Sequence, residues 1–172
     1  MPSQDIRLTP TSFAVLGLVA QAGTATPYDL KGAIEVSVEN FWNVPHTTFY
    51  AEPERLAKAG YLHEEREEGG RRKKLYSMTD RGCEALAAWL ASDEVAPPQL
   101  RDEVMLKVFF GADPAPLVAR RVAHHRAKLA ELEGYLEAVR ETGRPRGVEL
   151  TLLAGTAYER AMIELLETFA AG

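Results

Sequence analysis

The sequence predicts a mainly α-helical chain in two parts, the first of which carries one β-hairpin. Three observations lead to this fold class. Threonine-proline and aspartate-proline pairs are typical of helix starts. Such pairs precede segments whose apolar residues recur at helical spacing. One polar segment around a pair of glycines has the character of a hairpin. A proline-containing stretch from Ala91 to Leu100 separates the two parts, so we predict domains at 1–92 and 93–172.

Three helices are predicted before the hairpin. The first begins at Thr9-Pro10 and stops at Gly23, with apolar residues at helical spacing between them. The second begins at Thr26-Pro27, with an acidic residue three positions after the threonine cap. The third spans about 45–59, turns Phe49 and Leu56 inward, and stops at Gly60.

The hairpin is predicted from two arms, 61–66 and 72–78, that flank Gly69-Gly70. Tyrosines favour strand structure in both arms, and glycine permits the positive φ angles of a tight turn. Both arms are rich in polar residues, so we expect most of the hairpin to face solvent. Thr79 then caps a fourth helix.

The second part is predicted to hold three helices, at about 101–110, from Asp113 over about 28 residues, and at about 148–170. The middle helix would be about 42 Å long, and its apolar positions alternate in steps of four and three, as in a coiled coil. We expect such a helix to extend beyond what the rest of its own chain can cover, and we therefore predict a homodimer. The predicted dimer interface consists of Val118, Val122, His125, Leu129, Leu132, Leu136 and Val139.

Composition restricts the function classes. The 172 residues carry a net charge of −5, with 46% hydrophobic and 26% charged residues, which predicts a folded chain. No apolar run reaches the length of a membrane span, and the single cysteine, Cys83, cannot form an internal disulfide. We therefore expect a cytoplasmic protein.

Phosphate-binding loops, nucleophile elbows and zinc-ligand spacings do not occur in the sequence, so we expect no enzyme activity, no metal and no cofactor.

One cluster of charge points to a partner. Four basic residues stand together at 71–74, at the predicted hairpin tip. Three helices, a basic hairpin and a fourth helix follow one another in the order of a winged helix-turn-helix, in which the third helix enters the major groove and the wing contacts the backbone. We therefore predict binding to double-stranded DNA through His46, Thr47, Thr48, Tyr50, Arg55, Arg71, Arg72, Lys73 and Lys74.

At these residues the sequence resembles the PadR family of transcriptional regulators. The resemblance lies in Phe49-Tyr50, in Arg55 to Leu62, in the wing with Leu75 to Gly82, and in the opening helices with Leu8-Thr9, Val15 to Leu18 and Pro27 to Leu30. The second part is similar to the virulence-activator-like helical dimerisation domain of the larger subgroup, mainly by helix pattern and by Glu103 to Gly111.

The resemblance implies a dimeric bacterial regulator, usually a repressor, that binds an inverted repeat near its own or a neighbouring promoter. Many members are released by a small molecule such as a phenolic acid or a drug. The family's DNA contacts fall on Tyr50, on the residues just before it and on the wing. One departure is Pro53, where the family often has leucine; we expect a kink or a restart of the helix there.

Two alternatives stay open at this point. Aromatic side chains at helical spacing are more often core residues, but three of them are candidates for an effector pocket, namely Trp89, Phe109 and Tyr158. The alternative function is a protein-interaction module that uses the winged helix as a scaffold and the C-terminal coiled coil as its partner-binding surface. Phosphate binding weakens steeply with salt, which separates the two functions.

Overall fold

The computed structural model describes residues 6–35, 38, 41–42, 45, 47–66, 73–143 and 145–171, with only the backbone of 35, 170 and 171. The chain forms two compact units, Met1–Ala96 and Pro97–Gly172. The first contains the helices α1 (Pro10–Ala22), α2 (Pro27–Glu35), α3 (Thr48–Lys58) and α4 (Asp80–Ala91), and the strands β1 (Thr24–Ala25), β2 (Leu62–Arg66) and β3 (Lys74–Met78). The second contains α5 (Glu103–Phe109), α6 (Ala115–Thr142) and α7 (Arg146–Ala171). The predicted fold class is confirmed.

Threonine caps start α1, α2 and α4 where the sequence predicts them. Thr9 caps α1 in a reciprocal box with Ser12, and Thr79 caps α4 by accepting from the Gly82 N–H. At α2, the carboxylate of Asp29 accepts from both the backbone N–H and the hydroxyl of Thr26, at 2.9 and 2.7 Å. These bonds satisfy N–H groups that have no partner inside the helix, so each boundary is set by local sequence.

The small sheet has the strand order β1–β3–β2 and is antiparallel throughout. β2 and β3 form the predicted hairpin arms, with Leu62 opposite Met78 and Arg66 opposite Lys74. The turn at Gly69-Gly70 lies outside the described residues. The sequence analysis missed β1, because a two-residue strand shows no alternation; Thr24 and Ala25 are strand residues only because β3 pairs with them.

One apolar core holds the first unit together. α1 contributes Val15, Leu16 and Val19, all fully buried, and α3 contributes Phe49 and Leu56. Their partners from the other elements are Ala25, Leu30, Ile34, Ala59, Tyr61, Leu62 and Tyr76. Because Phe49 and Leu56 lie on one face of α3, this core turns the opposite face of that helix outward, as predicted.

The second unit is built on an antiparallel pair of long helices. α6 ends at Gly143, whose φ of 64° is left-handed, and α7 then returns along it. Leu136 packs near Leu152 at the turn, and Val122 packs near Leu166 at the far end. α5 begins at Asp102, which accepts hydrogen bonds from the backbone N–H groups of Val104 and Met105.

The apolar seam of α6, the row of residues that the sequence predicts as a dimer interface, packs within one chain instead of against a second copy. Val118, Val122, His125, Leu132 and Leu136 are buried against α7 of the same chain, while Leu129 and Val139 are half-buried. The expectation that nothing in the chain covers α6 is wrong, because α7 has 26 residues and α6 has 28, so the two helices match in length. A knobs-into-holes pattern fits an intramolecular helix pair as well as a dimer.

Within the described residues, no helix combines the length with the apolar character that a membrane crossing requires.

Candidate nucleic-acid interface

The N-terminal end of α3 is exposed and carries hydroxyl groups. Thr47 precedes the helix and makes no side-chain capping bond, Thr48 is half-buried, and the ring of Tyr50 is 53% exposed. The first turn of α3 contains no acidic residue, as is also the case for α1 and α6. A helix N-terminus with free hydroxyls and no carboxylate suits the phosphate groups of a nucleic acid. His46 lies outside the described residues.

Pro53 does not interrupt α3, so the predicted restart is wrong. A single helix runs from Thr48 to Lys58 through Pro53, whose ring is fully buried in the core. The proline is the sixth residue of the helix, so the one intrahelical bond it removes is that to the Phe49 carbonyl. Burial of the ring among core side chains offsets that loss.

Arg55, which the sequence predicts as a DNA contact, is bound by side chains and backbone of the same chain. Its Nε and Nη2 donate to the two carboxylate oxygens of Glu52, at 2.8 and 2.6 Å. Nη2 also donates to Oγ of Ser12 at 3.0 Å, and Nη1 to the Arg7 carbonyl at 3.4 Å. The side chain is 37% exposed, and its guanidinium faces the start of α1. Helical periodicity places the Cα of a long side chain, but not its charged end.

The described basic residues of the wing divide into two kinds. Lys73 is exposed and lies just before β3. Lys74, which is 28% exposed, donates to Glu54 of α3 at 3.1 Å and pairs with Glu64 of β2 at 3.4 Å. These contacts, led by the hydrogen bond to Glu54, raise the pKa of Lys74. Arg71 and Arg72 lie outside the described residues.

The acidic residues of β2 balance positive charge at the base of the wing. Burial would raise the pKa of Glu64, but hydrogen bonds from Tyr76, Arg66 and Lys74 hold it below its usual value. Burial and the contact with Glu64 in turn raise the pKa of the Tyr76 hydroxyl, which donates to that carboxylate at 3.1 Å. The base of the wing is therefore a paired cluster tied to α3, and not a row of unpaired cations.

The aromatic effector candidates have separate surroundings. Trp89 belongs to the first unit and stacks on Phe13 of α1, with ring centroids 4.8 Å apart. Phe109 is 81% exposed on α5, and Tyr158 is 46% exposed on α7, edge-on to the ring of His125. The effector role of the three residues stays a prediction.

The second unit contains a row of linked polar side chains that the sequence does not predict. The side chain of Asp102, 2% exposed, pairs with Arg121 at 3.1 Å. Arg121 donates through Nε to Nε2 of His125, whose Nδ1 lies 2.5 Å from Glu159 of α7. The spacing of Arg121 and His125 suggests a contact within α6, but no local signal reveals the partners from α5 and α7. Among the described residues, no group of His, Cys, Asp or Glu is arranged to hold a metal ion.

A core-anchored helix with an exposed hydroxyl-bearing end, beside a two-stranded wing, defines the winged helix-turn-helix class of regulators. Residues 15–88 match the Transcriptional regulator PadR-like family, and residues 100–171 match the family described as Virulence activator alpha C-term. Residues 15–88 therefore form a PadR-like transcriptional regulator domain, and the role of the protein is that of a regulator and not of an enzyme.

Individual relatives resemble the chain over nearly its whole length. The negative transcriptional regulator PadR of Bacillus subtilis is 27% identical over 173 residues, which cover 92% of this chain and 94% of that protein. The crystal structure of Bacillus subtilis PadR in complex with operator DNA has a TM-score of 0.82 at 25% identity, covering 97% of this chain and 99% of that one. The complex of the same protein with p-coumaric acid has a TM-score of 0.73 at 26% identity, covering 96% and 97%.

Proposed function

We propose that the protein is a dimeric repressor that binds an inverted-repeat operator and is released by a small aromatic acid. The observation that carries this proposal is the exposed N-terminal end of α3 beside the wing, in a chain similar to a regulator solved on operator DNA. A cytoplasmic location follows from the proposed contact with DNA.

In this proposal the third helix reads the groove and the wing contacts the flanking backbone. Thr47, Thr48 and Tyr50 supply hydroxyl groups for phosphates and base edges, and Lys73 supplies positive charge. The proposed DNA-binding set also includes His46, Arg71 and Arg72, which are not among the described residues. Arg55 and Lys74 belong to the predicted set too, but in the free protein their charges are already paired with Glu52 and with Glu54 and Glu64.

The proposed dimer uses a different face from the seam of α6. α7 is apolar on two sides: one packs on α6, while Leu150, Leu153 and Leu165 are 51%, 38% and 38% exposed on the other. A helix with apolar residues on opposite faces is typical of a buried position. A second copy of the chain would cover the outer face and present two winged helices to the two halves of an inverted repeat.

The proposed effector is an aromatic carboxylic acid. The relative from Bacillus subtilis was solved with p-coumaric acid, and this chain exposes aromatic rings at Trp89, Phe109 and Tyr158. Flat rings bind such ligands by stacking.

The experiment is a gel shift of the purified protein on the DNA upstream of its own gene, at ~50 and ~200 mM salt. The proposal expects a shift that competitor DNA of unrelated sequence does not remove, that weakens at the higher salt, and that p-coumaric acid reverses. A protein that binds every duplex equally at both salt concentrations would refute a specific repressor. A shift that no aromatic acid reverses would refute only the proposed effector.

A further inference from the structure

The recognition helix α3 is joined to the start of α1 by one arginine. Arg55 lies in the second half of α3, yet its guanidinium contacts Ser12 and the Arg7 carbonyl, 43 and 48 positions away in sequence. All three guanidinium nitrogens donate to these groups or to Glu52. We call Arg55, Glu52 and Ser12 the arginine clamp.

The partner at the far end of the clamp is itself held rigidly. Ser12 is fully buried, and its Oγ accepts the backbone N–H of Thr9 at 2.9 Å in the capping box of α1. Arg55 therefore does not reach a mobile surface hydroxyl; it bonds to the residue that fixes where α1 begins. An arginine bound to a carboxylate through two parallel bonds has a defined plane as well as a position.

Charge is balanced inside the clamp. Burial would raise the pKa of Glu52, but the hydrogen bonds from Arg55 and Ser12 and the positive charge of Arg55 hold it below its usual value. Glu52 is thus ionised at neutral pH and neutralises Arg55. A phosphate group that recruited Arg55 would have to displace a carboxylate that already holds it at 2.6 Å.

The clamp limits how α3 can rotate about its own axis. Phe49 and Leu56 fix one face of the helix in the core, but an apolar contact alone is non-directional and tolerates small rotations. Glu52 and Arg55 add directional bonds beside that face. Contacts to base edges need side chains placed to within about 0.5 Å and 10–20°, so a small rotation of α3 would misplace Thr47 and Tyr50 together.

We propose that Arg55 is a positioning residue that sets DNA sequence specificity by clamping α3 to α1, and that it does not itself contact the DNA. This inference rests on the proposed function, because it presupposes a preferred DNA sequence. The failure of this inference can be distinguished from the failure of the proposed function. A wild-type protein that selects no DNA sequence contradicts the proposed function, while the variants below test the clamp.

The test starts from a duplex that the wild-type protein selects out of a random-sequence DNA library. Dissociation constants for the selected duplex and a scrambled duplex are measured over a salt series for Arg55→Met, Arg55→Lys, Glu52→Gln and Ser12→Ala. Lys58→Met is the matched control, since it removes a positive charge from a 75% exposed site on the same helix. Far-UV circular dichroism identifies the variants that remain folded.

We expect Arg55→Met to lower the ratio of specific to nonspecific affinity about tenfold, with the slope of log K against log salt unchanged. Arg55→Lys keeps the charge without the planar fork, so it should lose specificity similarly, and it provides the test if the methionine variant does not fold. Glu52→Gln and Ser12→Ala should lower the ratio in the same direction. Combining either of them with Arg55→Met should add little further loss, because all three act through one clamp.

Three outcomes would overturn the inference. An equal loss on both duplexes, with the salt slope reduced by about 0.9, would make Arg55 a phosphate contact. Loss of preference at one base pair in the arginine variants only, with Glu52→Gln and Ser12→Ala unaffected, would make it a direct base contact. An unchanged ratio in Arg55→Lys would leave the clamp without a role in specificity.

Discussion

Gly82 of α4 lies directly against the backbone carbonyl of Tyr61, so closely that a Cβ at position 82 would overlap the carbonyl oxygen. The same Cβ would stand 3.3 Å from Cε of Met78. Thr79, which caps α4, donates its hydroxyl to that carbonyl at 2.9 Å. The glycine is therefore required by the close approach of α4 to the end of α3 and the start of the wing.

Gly82→Ala should lower the free energy of unfolding of the first unit by about 3 kcal/mol, because backbone must move to admit the methyl group. Thermal unfolding would measure the loss. Gly32→Ala is the matched control: nothing lies within 4 Å of a Cβ at this position in α2, so alanine should stabilise the helix by up to about 1 kcal/mol. Equal stability of the two variants would contradict the described contact.

The neighbouring wing lysines should behave differently when replaced by alanine. Loss of Lys73 should weaken binding to all DNA sequences and lower the salt slope by about 0.9, with unfolding unchanged, because its side chain is exposed. Loss of Lys74 should destabilise the fold by about 1 kcal/mol, because Glu54 and Glu64 lose a shared partner. Denaturant unfolding and binding titrations measure the two effects, and identical behaviour of the two variants would refute the distinction.

Glutamate substitutions should distinguish the proposed dimer face of α7 from the apolar contact between α6 and α7. Leu153→Glu or Leu165→Glu, on the exposed face of α7, should give folded monomers that bind DNA weakly. Leu132→Glu should instead unfold the second unit, because this side chain is 2% exposed in the contact between α6 and α7. Sedimentation and circular dichroism decide between these outcomes. A folded monomer from Leu132→Glu would restore α6 as the dimer interface.

Acid should weaken the arginine clamp. The pKa of Glu52 is lower in the folded chain than its ordinary value of 4.5. Its contribution to stability is therefore present above about pH 4.5 and is lost as the pH falls through the folded-state pKa. Glu52→Gln should flatten the decline of unfolding free energy in this range, as measured by urea unfolding between about pH 6 and about pH 3, an interval that brackets the usual carboxyl pKa values. An equally steep decline in the variant would show that Glu52 is not held ionised.

The two aspartates that accept helix-start N–H groups in the second unit should differ in importance. Asp102→Ala should cost about 3 kcal/mol, because it removes the cap of α5 and leaves Arg121 without its nearly buried partner. Asp113→Ala removes an exposed bond to the Ala115 N–H and should cost about 1 kcal/mol. Urea unfolding compares them, and similar costs would mean that the pair between Asp102 and Arg121 contributes little.

Local signals explain which parts of the fold were predictable. The caps at Thr9, Thr26 and Thr79 and the stops at Gly23 and Gly60 act within a few residues, so the sequence predicts those boundaries correctly. β1 was missed and the seam of α6 was assigned to the wrong partner. In both cases the deciding contact joins residues that lie far apart in sequence, such as Thr24 with Ser77 of β3 and Val122 with Leu166 of α7.

The candidate site shows the same division. Periodicity places Phe49 in the core and Tyr50 near the boundary of the outer face; in the structure Phe49 is fully buried and Tyr50 is exposed. It could not predict that Arg55 turns toward Ser12 or that Lys74 pairs with Glu54, because long side chains reach neighbours that spacing does not reveal.

The clamp also bears on protein engineering. A segment cut from Thr48 to Lys58 and grafted into another winged helix would carry Glu52 and Arg55 but leave Ser12 behind. The graft would keep every side chain proposed to touch DNA from α3 and still lose the bond that orients them. Transplanting the sequence preference of this protein therefore requires the first turn of α1 to travel with the reading helix.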